Sequence, residues 1–153
     1  MASRPDTTES EPLSLHVPSQ YRYLALVRDA VMEVCVRAGM SEFTCYQIEM
    51  AVDEACANII EHSYQGESAP GSEQDDPGFL VEIHEQNDRL VFELLDWGKG
   101  FEFDEHPAQN LETYLANQDE RGLGVYIISR FVDEVEYRRD AENGNRLLLT
   151  KHL

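Results

Sequence analysis

The chain has 153 residues, of which 42% are hydrophobic and 27% are charged, and this is the composition of a folded globular protein. Thirty acidic residues against twelve basic ones give a formal net charge of −18. Because such a charge repels nucleic-acid backbones and anionic membrane surfaces, we expect neither nucleic acid nor a membrane as a direct partner.

The N-terminal half predicts a tail, one strand and two helices. A polar, non-periodic segment comes first, then an alternating strand, then two stretches with apolar residues at helical spacing, the second of which Ser41 can cap. These segments are the mobile tail (1–12), the strand (13–17) and the helices (19–38 and 42–64). We assign residues 13–153 to a single domain.

The C-terminal half predicts two hairpins separated by a helix. A glycine-, proline- and acid-rich loop, which we expect to lack regular structure, leads into the first hairpin. An irregular stretch follows, with a short helix at its centre, and the next helix should begin after Gly122. The segments are the loop (66–78), the hairpins (79–85 with 89–96, and 135–138 with 147–152), the short helix (111–116) and the helix that carries Val125, Ile128 and Phe131 or Val132 inward.

This order of elements predicts an α+β fold. Consecutive hairpins give a mainly antiparallel mixed sheet, and amphipathic helices need one apolar face to cover. We therefore expect a two-layer sandwich in which helices cover one face of the sheet.

The cysteines and the N-terminus indicate the compartment. Cys35, Cys45 and Cys56 are an odd number of thiols in apolar helical contexts without a CxxC pair, which favours buried free thiols over disulfides or zinc. No run approaches the roughly 20 apolar residues of a membrane span, and the N-terminus has no apolar core. We expect a cytoplasmic protein.

The second helix has an acidic edge without basic residues of its own. Glu54, Asn58 and His62 recur at i, i+4 and i+8, and no lysine or arginine lies between Tyr46 and Tyr64. One interpretation is a plain acidic surface helix. The other is that Glu54 acts as a general base and Asn58 as an oxygen ligand for Mg²⁺, with His62 closing the helix end or forming a local hydrogen bond.

The sequence DWGKG follows the strand at 89–96. Asp-x-Gly is typical of an ordinary turn, but here Asp96 ends an apolar strand, where a carboxylate can accept a hydrogen bond from an exocyclic amine such as that of adenine. Gly98 and Gly100 would let the backbone approach a flat ring or a phosphate. Lys99 lies between them and is a candidate phosphate contact.

The sequence RGLG precedes the third long helix. Gly122 and Gly124 are consistent with a flexible helix entry, or with an anion site at which free amide groups meet phosphates. A strongly acidic chain needs such amides, local basic groups and a divalent cation to hold a nucleotide. Arg121 supplies a basic group beside these glycines, and Leu123 lies between them.

These three segments resemble the N, G1 and G2 boxes of the ATPase and kinase superfamily that includes gyrase and the histidine kinases. Within it, DEACANIIEHSY, DWGKGF and ERGLGVYIISRF are most similar to the small bacterial anti-sigma factor serine/threonine kinases. The resemblance runs from about residue 13 to residue 153 and implies the Bergerat (GHKL) ATP-binding fold.

The resemblance also implies roles for individual residues. Glu54 would be the catalytic base, Asn58 the magnesium ligand and Asp96 the adenine contact. The residues that would shape the base pocket and hold the phosphates of ATP are Gly98, Lys99, Gly100, Arg121, Gly122, Leu123 and Gly124. The stretch from 101 to 121 would be a short ATP lid.

Members of this family phosphorylate a small anti-anti-sigma (STAS-type) protein, bind a sigma factor and often form homodimers, so the resemblance implies these partners. Two functions remain open: a kinase that transfers the γ-phosphoryl group of magnesium-bound ATP to a protein hydroxyl, and a nucleotide-dependent binding module with little or no transfer. Retention of both Glu54 and Asn58 favours the kinase.

Overall fold

The computed structural model describes residues 11–69, 71, 75–101, 103 and 120–153, with the backbone alone described for 120–123. The expected tail lies outside the described residues except for its last two positions. Most of the expected lid and the whole of the short helix expected at 111–116 also lie outside them.

Five strands form one sheet in the order β1-β2-β3-β5-β4, and every neighbouring pair is antiparallel. The strands are β1 (Leu13–Val17), β2 (Phe79–Glu85), β3 (Arg89–Asp96), β4 (Glu134–Arg138) and β5 (Asn145–His152). Both expected hairpins are confirmed, and β5 lies between β3 and β4.

Three α-helices accompany this sheet in the described part of the chain. They are α1 (Leu24–Arg37), α2 (Glu42–Asn58) and α3 (Glu120–Phe131). A 3-10 turn, Tyr21–Tyr23, leads into α1, and a π-helical turn, Ile59–Ser63, continues α2. The Ser41 hydroxyl caps α2 by accepting a hydrogen bond from the Thr44 amide at 3.2 Å, as expected.

The helices and the sheet bury a common core. Alternate residues of β2 and β3 are buried, as period-2 apolar patterns require, and they join the inward residues of α1, α2 and α3 in one cluster. The α+β two-layer sandwich is confirmed. Across the described part of the chain, every helix falls short of the length and apolar character that a membrane span requires.

The described residues of the loop at 66–78 lack regular secondary structure, as expected, but hydrogen bonds hold both of its ends. Its Asp76 carboxylate accepts hydrogen bonds from the Ser19 amide at 2.8 Å, the Ser19 hydroxyl at 2.9 Å and the Gly78 amide at 2.8 Å. Glu67 accepts from the Tyr21 amide at 2.9 Å. These bonds fix both ends of the loop to the segment that precedes α1.

Candidate active site

Glu54 and Asn58 face helix α3 at Gly124. A Cβ atom added to Gly124 would stand 3.0 Å from Glu54 Oε2 and 3.7 and 3.8 Å from the two amide atoms of Asn58. Any larger residue at this position would take up the space beside both side chains. The structure therefore brings together three residues that the sequence placed in two separate motifs.

Asn58 carries an unsatisfied polar atom. The residue is 5% exposed, and among the described residues its buried Nδ2 has no hydrogen-bond partner. An unsatisfied buried donor costs about 1–3 kcal/mol, so its retention points to a ligand that completes the site. Its Oδ1 is a hard oxygen ligand of the kind that Mg²⁺ takes, and the Glu54 carboxylate lies one helical turn away.

The environment of Glu54 makes its carboxylate more basic than usual. Burial raises its pKa above the ordinary value, and the negative charges of Asp53 and Glu61 add to this effect. Within the described residues Glu54 has no ion-pair partner. A partly buried carboxylate with a raised pKa is suited to accept a proton.

The neighbouring acids of α2 are paired instead with helix α1. Arg28 Nη1 lies 2.8 Å from Asp53 Oδ1, and Arg28 Nε lies 4.0 Å from Glu49 Oε1. The basic residue that α2 lacks in its own sequence therefore comes from α1. Arg28 partly neutralises the acidic side chains on the face of α2 that is turned toward α1. The negative charge of Glu54 is left without such a partner among the described residues.

Asp96 is fixed at the end of β3 by three hydrogen bonds. It is 2% exposed, and its Oδ1 accepts from the Ser63 hydroxyl at 2.5 Å, the Gly98 amide at 2.9 Å and the Asn145 side-chain amide at 3.0 Å. All three of these bonds go to Oδ1, so none of them uses Oδ2.

Ser63 joins the π-helical turn to the DWGKG segment. Its hydroxyl also accepts from the Gly100 amide at 3.0 Å, and its carbonyl accepts from the Lys99 amide at 3.0 Å. A Cβ on Gly98 would stand 2.5 Å from the Ser63 carbonyl oxygen, so only glycine fits there. Gly100 has φ +72°, a left-handed conformation that glycine adopts without strain.

A cavity of about 610 Å³, within the size range of small-molecule sites, opens beside Gly100 and is also lined by Glu61. His62, one helical turn beyond Asn58, lines it together with Lys99 and Gly100. Arg139 closes one side and donates a hydrogen bond from Nε to the Lys99 carbonyl at 2.7 Å. Two basic side chains therefore border a cavity in a strongly acidic protein.

The second glycine motif departs from our expectation. We predicted that the helix would follow Gly122, but α3 already begins at Glu120. Gly122 therefore lies in the first helical turn, and Gly124 begins the next. The side chains of Arg121 and Leu123 lie outside the described atoms, so their expected phosphate contacts stay predictions.

Sequence reasoning missed three residues that hold Asp96 or the DWGKG segment. Ser63 reaches it from the π-helical turn, Asn145 pairs with it in the β3–β5 register, and Arg139 follows β4. Asn145 also donates to the Gly98 carbonyl at 2.9 Å. The sequence ENGN, which contains Asn145, signalled only a hairpin turn, since strand register is not visible in a local pattern.

These features define a class of protein: an α+β domain with a helix-borne carboxylate and amide beside a glycine-bearing helix, and a fixed carboxylate at a strand end. The chain belongs to the histidine kinase-like ATPase domain family, whose model matches residues 17–151. The family resemblance seen in the sequence is thereby confirmed.

Two relatives span most of the chain. It is 24% identical over 147 residues to the serine-protein kinase RsbW of Bacillus cereus (strain AH187), with 94% of this chain and 86% of the relative covered. It is 27% identical over 151 residues to the serine-protein kinase RsbW of Listeria innocua serovar 6a (strain ATCC BAA-680 / CLIP 11262), with 95% and 90% covered.

A solved structure supports the fold. A chain in the crystal structure of the SiaB–SiaC complex from Pseudomonas aeruginosa matches with a TM-score of 0.59. The match covers 92% of this chain and 88% of that chain at 13% sequence identity. At this identity the likeness shows the shared fold.

Proposed function

We propose that this protein is an ATP-dependent serine/threonine protein kinase that regulates a sigma factor by switching between partners. The observation that carries the proposal is the juxtaposition of Glu54 and Asn58 with Gly124, in a chain of the histidine kinase-like ATPase domain family. The names of the relatives, serine-protein kinase RsbW, support the choice of reaction.

In this proposal ATP binds between α2, α3 and the DWGKG segment. Asp96 Oδ2 accepts a hydrogen bond from the adenine amine, while Oδ1 is held by the protein's own donors. Gly98 and Gly100 bring the backbone close to the base. The residues proposed to contact the phosphates are Lys99, Arg121, Gly122, Leu123 and Gly124.

Mg²⁺, when bound with ATP, would neutralise phosphate charge and orient the γ-phosphoryl group. The donor set fits this ion, because Asn58 supplies a hard amide oxygen. The buried Nδ2 of the same side chain can donate a hydrogen bond to a phosphate oxygen of the nucleotide. The net charge of −18 gives an independent reason for a cation, since the chain repels a free nucleotide.

Glu54 is proposed to accept the proton of the attacking serine or threonine hydroxyl. Its pKa is raised by burial first and then by the charges of Asp53 and Glu61, which strengthens it as a base. The protein contributes positioning and charge stabilisation, which account for most of the catalysis in phosphoryl transfer.

The partners we propose are those of an anti-sigma kinase. A small anti-anti-sigma (STAS-type) protein would carry the acceptor hydroxyl, and a sigma factor would bind when that protein is phosphorylated. We further propose a cytoplasmic protein that forms a homodimer, with residues 13–153 as a single domain.

The test is transfer of label from γ-labelled ATP to candidate acceptors that are encoded beside this protein. Wild-type protein should label one of them, whereas Glu54→Gln should bind ATP and leave the acceptor unlabelled. Glu49→Gln is the matched control, because Glu49 is an acid of the same helix that lies near Arg28 and does not contribute to the raised pKa of Glu54, and it should retain transfer.

The same assay separates the kinase from its alternative. If wild-type protein binds ATP but labels none of the acceptors, the kinase proposal is wrong. A nucleotide-dependent binding module would then be the better description. In that case, binding of a partner protein should still change when ATP replaces ADP.

A further inference from the structure

The face of the sheet opposite the helices carries a cluster of metal-ligating side chains. Glu82 and His84 lie two residues apart on β2, and Glu93 lies opposite Glu82 in the β2–β3 register. Residues two apart on a strand share a face, so all three side chains project from the same surface. Nothing in the proposed kinase mechanism uses them.

The three ligand atoms converge on one point. His84 Nε2 lies 3.4 Å from Glu82 Oε2 and 3.4 Å from Glu93 Oε2, and all three atoms lie within 4.8 Å of one another. The side chains are partly buried, with exposed fractions of 31% for Glu82, 32% for His84 and 15% for Glu93.

Direct hydrogen bonding does not explain this arrangement. His84 Nε2 is enclosed and has no hydrogen-bond partner among the described residues, although two carboxylate oxygens lie near it. Two ligands on one tetrahedral Zn²⁺ ion, at bond lengths of about 2.0–2.1 Å, stand about 3.3–3.4 Å apart. The observed separations from nitrogen to oxygen therefore match those of ligands around a shared ion.

A neighbouring residue orients one of the ligands. Arg146 Nη1 lies 3.0 Å from Glu93 Oε1, so this carboxylate presents Oε2 to His84 while its other oxygen is held. Carboxylates that bind metals are commonly fixed by such outer contacts. Arg146 also neutralises part of the local negative charge.

We propose that Glu82, His84 and Glu93 form a binding site for a divalent transition-metal ion, with Zn²⁺ as the ion that suits a mixed nitrogen and carboxylate set. Three protein ligands leave a fourth position open to water or to a group from a partner. The site lies on the exposed face of the sheet and is separate from Asn58, which is enclosed between α2 and α3.

The test is calorimetric titration of the full-length, untagged, nucleotide-free protein with ZnCl₂, repeated with CoCl₂ and visible absorption. One ion should bind per chain. His84→Gln and Glu93→Gln should each weaken binding at least tenfold, as expected when a ligand is removed. Circular dichroism should show that the variants remain folded.

His152→Gln is the matched control. His152 Nε2 also lies 3.4 Å from a carboxylate, Glu134 Oε1, but the three-residue ligand cluster does not include this pair. Its loss should leave zinc affinity unchanged. Because Cys35, Cys45 and Cys56 are all buried, thiols do not compete for zinc in the folded chain.

The proposal would be overturned if the wild-type protein did not bind zinc at millimolar concentration, or if His84→Gln left the binding unchanged. Equal weakening by His84→Gln and His152→Gln would also overturn it, because the affinity would then be a general property of the acidic surface. If His84→Gln does not fold, the same comparison of zinc affinity is made with Glu82→Gln in its place.

Discussion

Ser63 donates a hydrogen bond to Asp96 at 2.5 Å, across 33 positions of sequence. This bond links the π-helical turn that ends the α2 segment to the last residue of β3. The same hydroxyl accepts from the Gly100 amide, so one small side chain sets the distance between the helix and the DWGKG loop. π-Helical turns are often found at functional sites, and here the turn delivers Ser63 to the candidate nucleotide pocket.

Ser63→Ala should destabilise the fold and weaken ATP binding. The change removes the donor to Asp96 and leaves the buried Gly100 amide without its acceptor, which should cost about 1–3 kcal/mol in the free energy of unfolding. Urea denaturation and ATP titration measure the two effects.

Ser129→Ala is the control that measures the effect of removing a buried serine hydroxyl without removing the hydrogen bonds of Ser63. Ser129 Oγ is buried and has no hydrogen-bond partner among the described residues, so its removal should be neutral or stabilising. A loss of stability in Ser129→Ala as large as that in Ser63→Ala would mean that the hydrogen bonds of Ser63 do not contribute measurably to the free energy of unfolding.

Gly124→Ala should separate stability from ligand binding. Alanine is favoured over glycine within a helix by about 1 kcal/mol, and the flexible end of Glu54 can move away from a new methyl group. That methyl group would nevertheless occupy the space between Glu54 and Asn58. We expect an unfolding temperature at or above the wild-type value together with a clear loss of ATP affinity. Unchanged affinity would show that ATP does not use this space.

Glu54→Gln should stabilise the folded protein at neutral pH. Burial, together with Asp53 and Glu61, raises the pKa of Glu54 in the folded state above its ordinary value of 4.5, so the ionised carboxylate opposes folding. In the wild-type protein, the ionised Glu54 carboxylate lowers the free energy of unfolding at high pH. This loss disappears as the pH falls through the raised pKa and the carboxylate is protonated. The advantage of Glu54→Gln should be present at pH 7 and should vanish below pH 4.5. Thermal unfolding across this range measures it, and destabilisation at pH 7 would contradict the account.

Asp76→Ala should release the C-terminal end of the loop at 66–78 from Ser19, which precedes α1. Burial alone would raise the pKa of Asp76, but hydrogen bonds from Ser19 and Gly78 outweigh it and lower the pKa below the ordinary 3.8. The stability from this carboxylate is therefore present above pH 3.8 and is lost as pH falls through the lowered pKa.

We expect Asp76→Ala to lose more than about 1.5 kcal/mol at neutral pH, as for hydrogen bonds to a charged group, with the difference from wild type shrinking in acid. The exposed neighbour provides the control, since Asp75→Ala should change the free energy of unfolding little. Equal losses in the two variants would show that Asp76 holds nothing in place.

Sequence periodicity predicted the strands and most of the helices in the described part of the chain. The predicted bounds of β1, β2 and β3 match the structure, because apolar alternation and turn residues are local signals. The cap at Ser41 and the hairpin at ENGN are local in the same sense. The two-layer arrangement then followed from the need to bury one face of each element.

The details of the site could not be read in the same way. The bonds of Ser63 and Asn145 to Asp96 join residues 33 and 49 positions apart, and only folding brings them together. The start of α3 was placed too late, since the two glycines were taken to precede the helix, whereas helix packing against α2 accommodates them within it. Tertiary contacts therefore outweighed the weak intrinsic tendency of glycine to disfavour a helix.

The most direct test is calorimetric titration of the wild-type protein and of Asn58→Ala with ATP, each with Mg²⁺ and with EDTA. The account predicts that wild-type protein binds ATP only when Mg²⁺ is present and that Asn58→Ala, although folded, binds none. Absence of ATP binding by the wild type, or equal affinity in Asn58→Ala, would contradict the central claim that Asn58 and Gly124 enclose a magnesium-bound nucleotide.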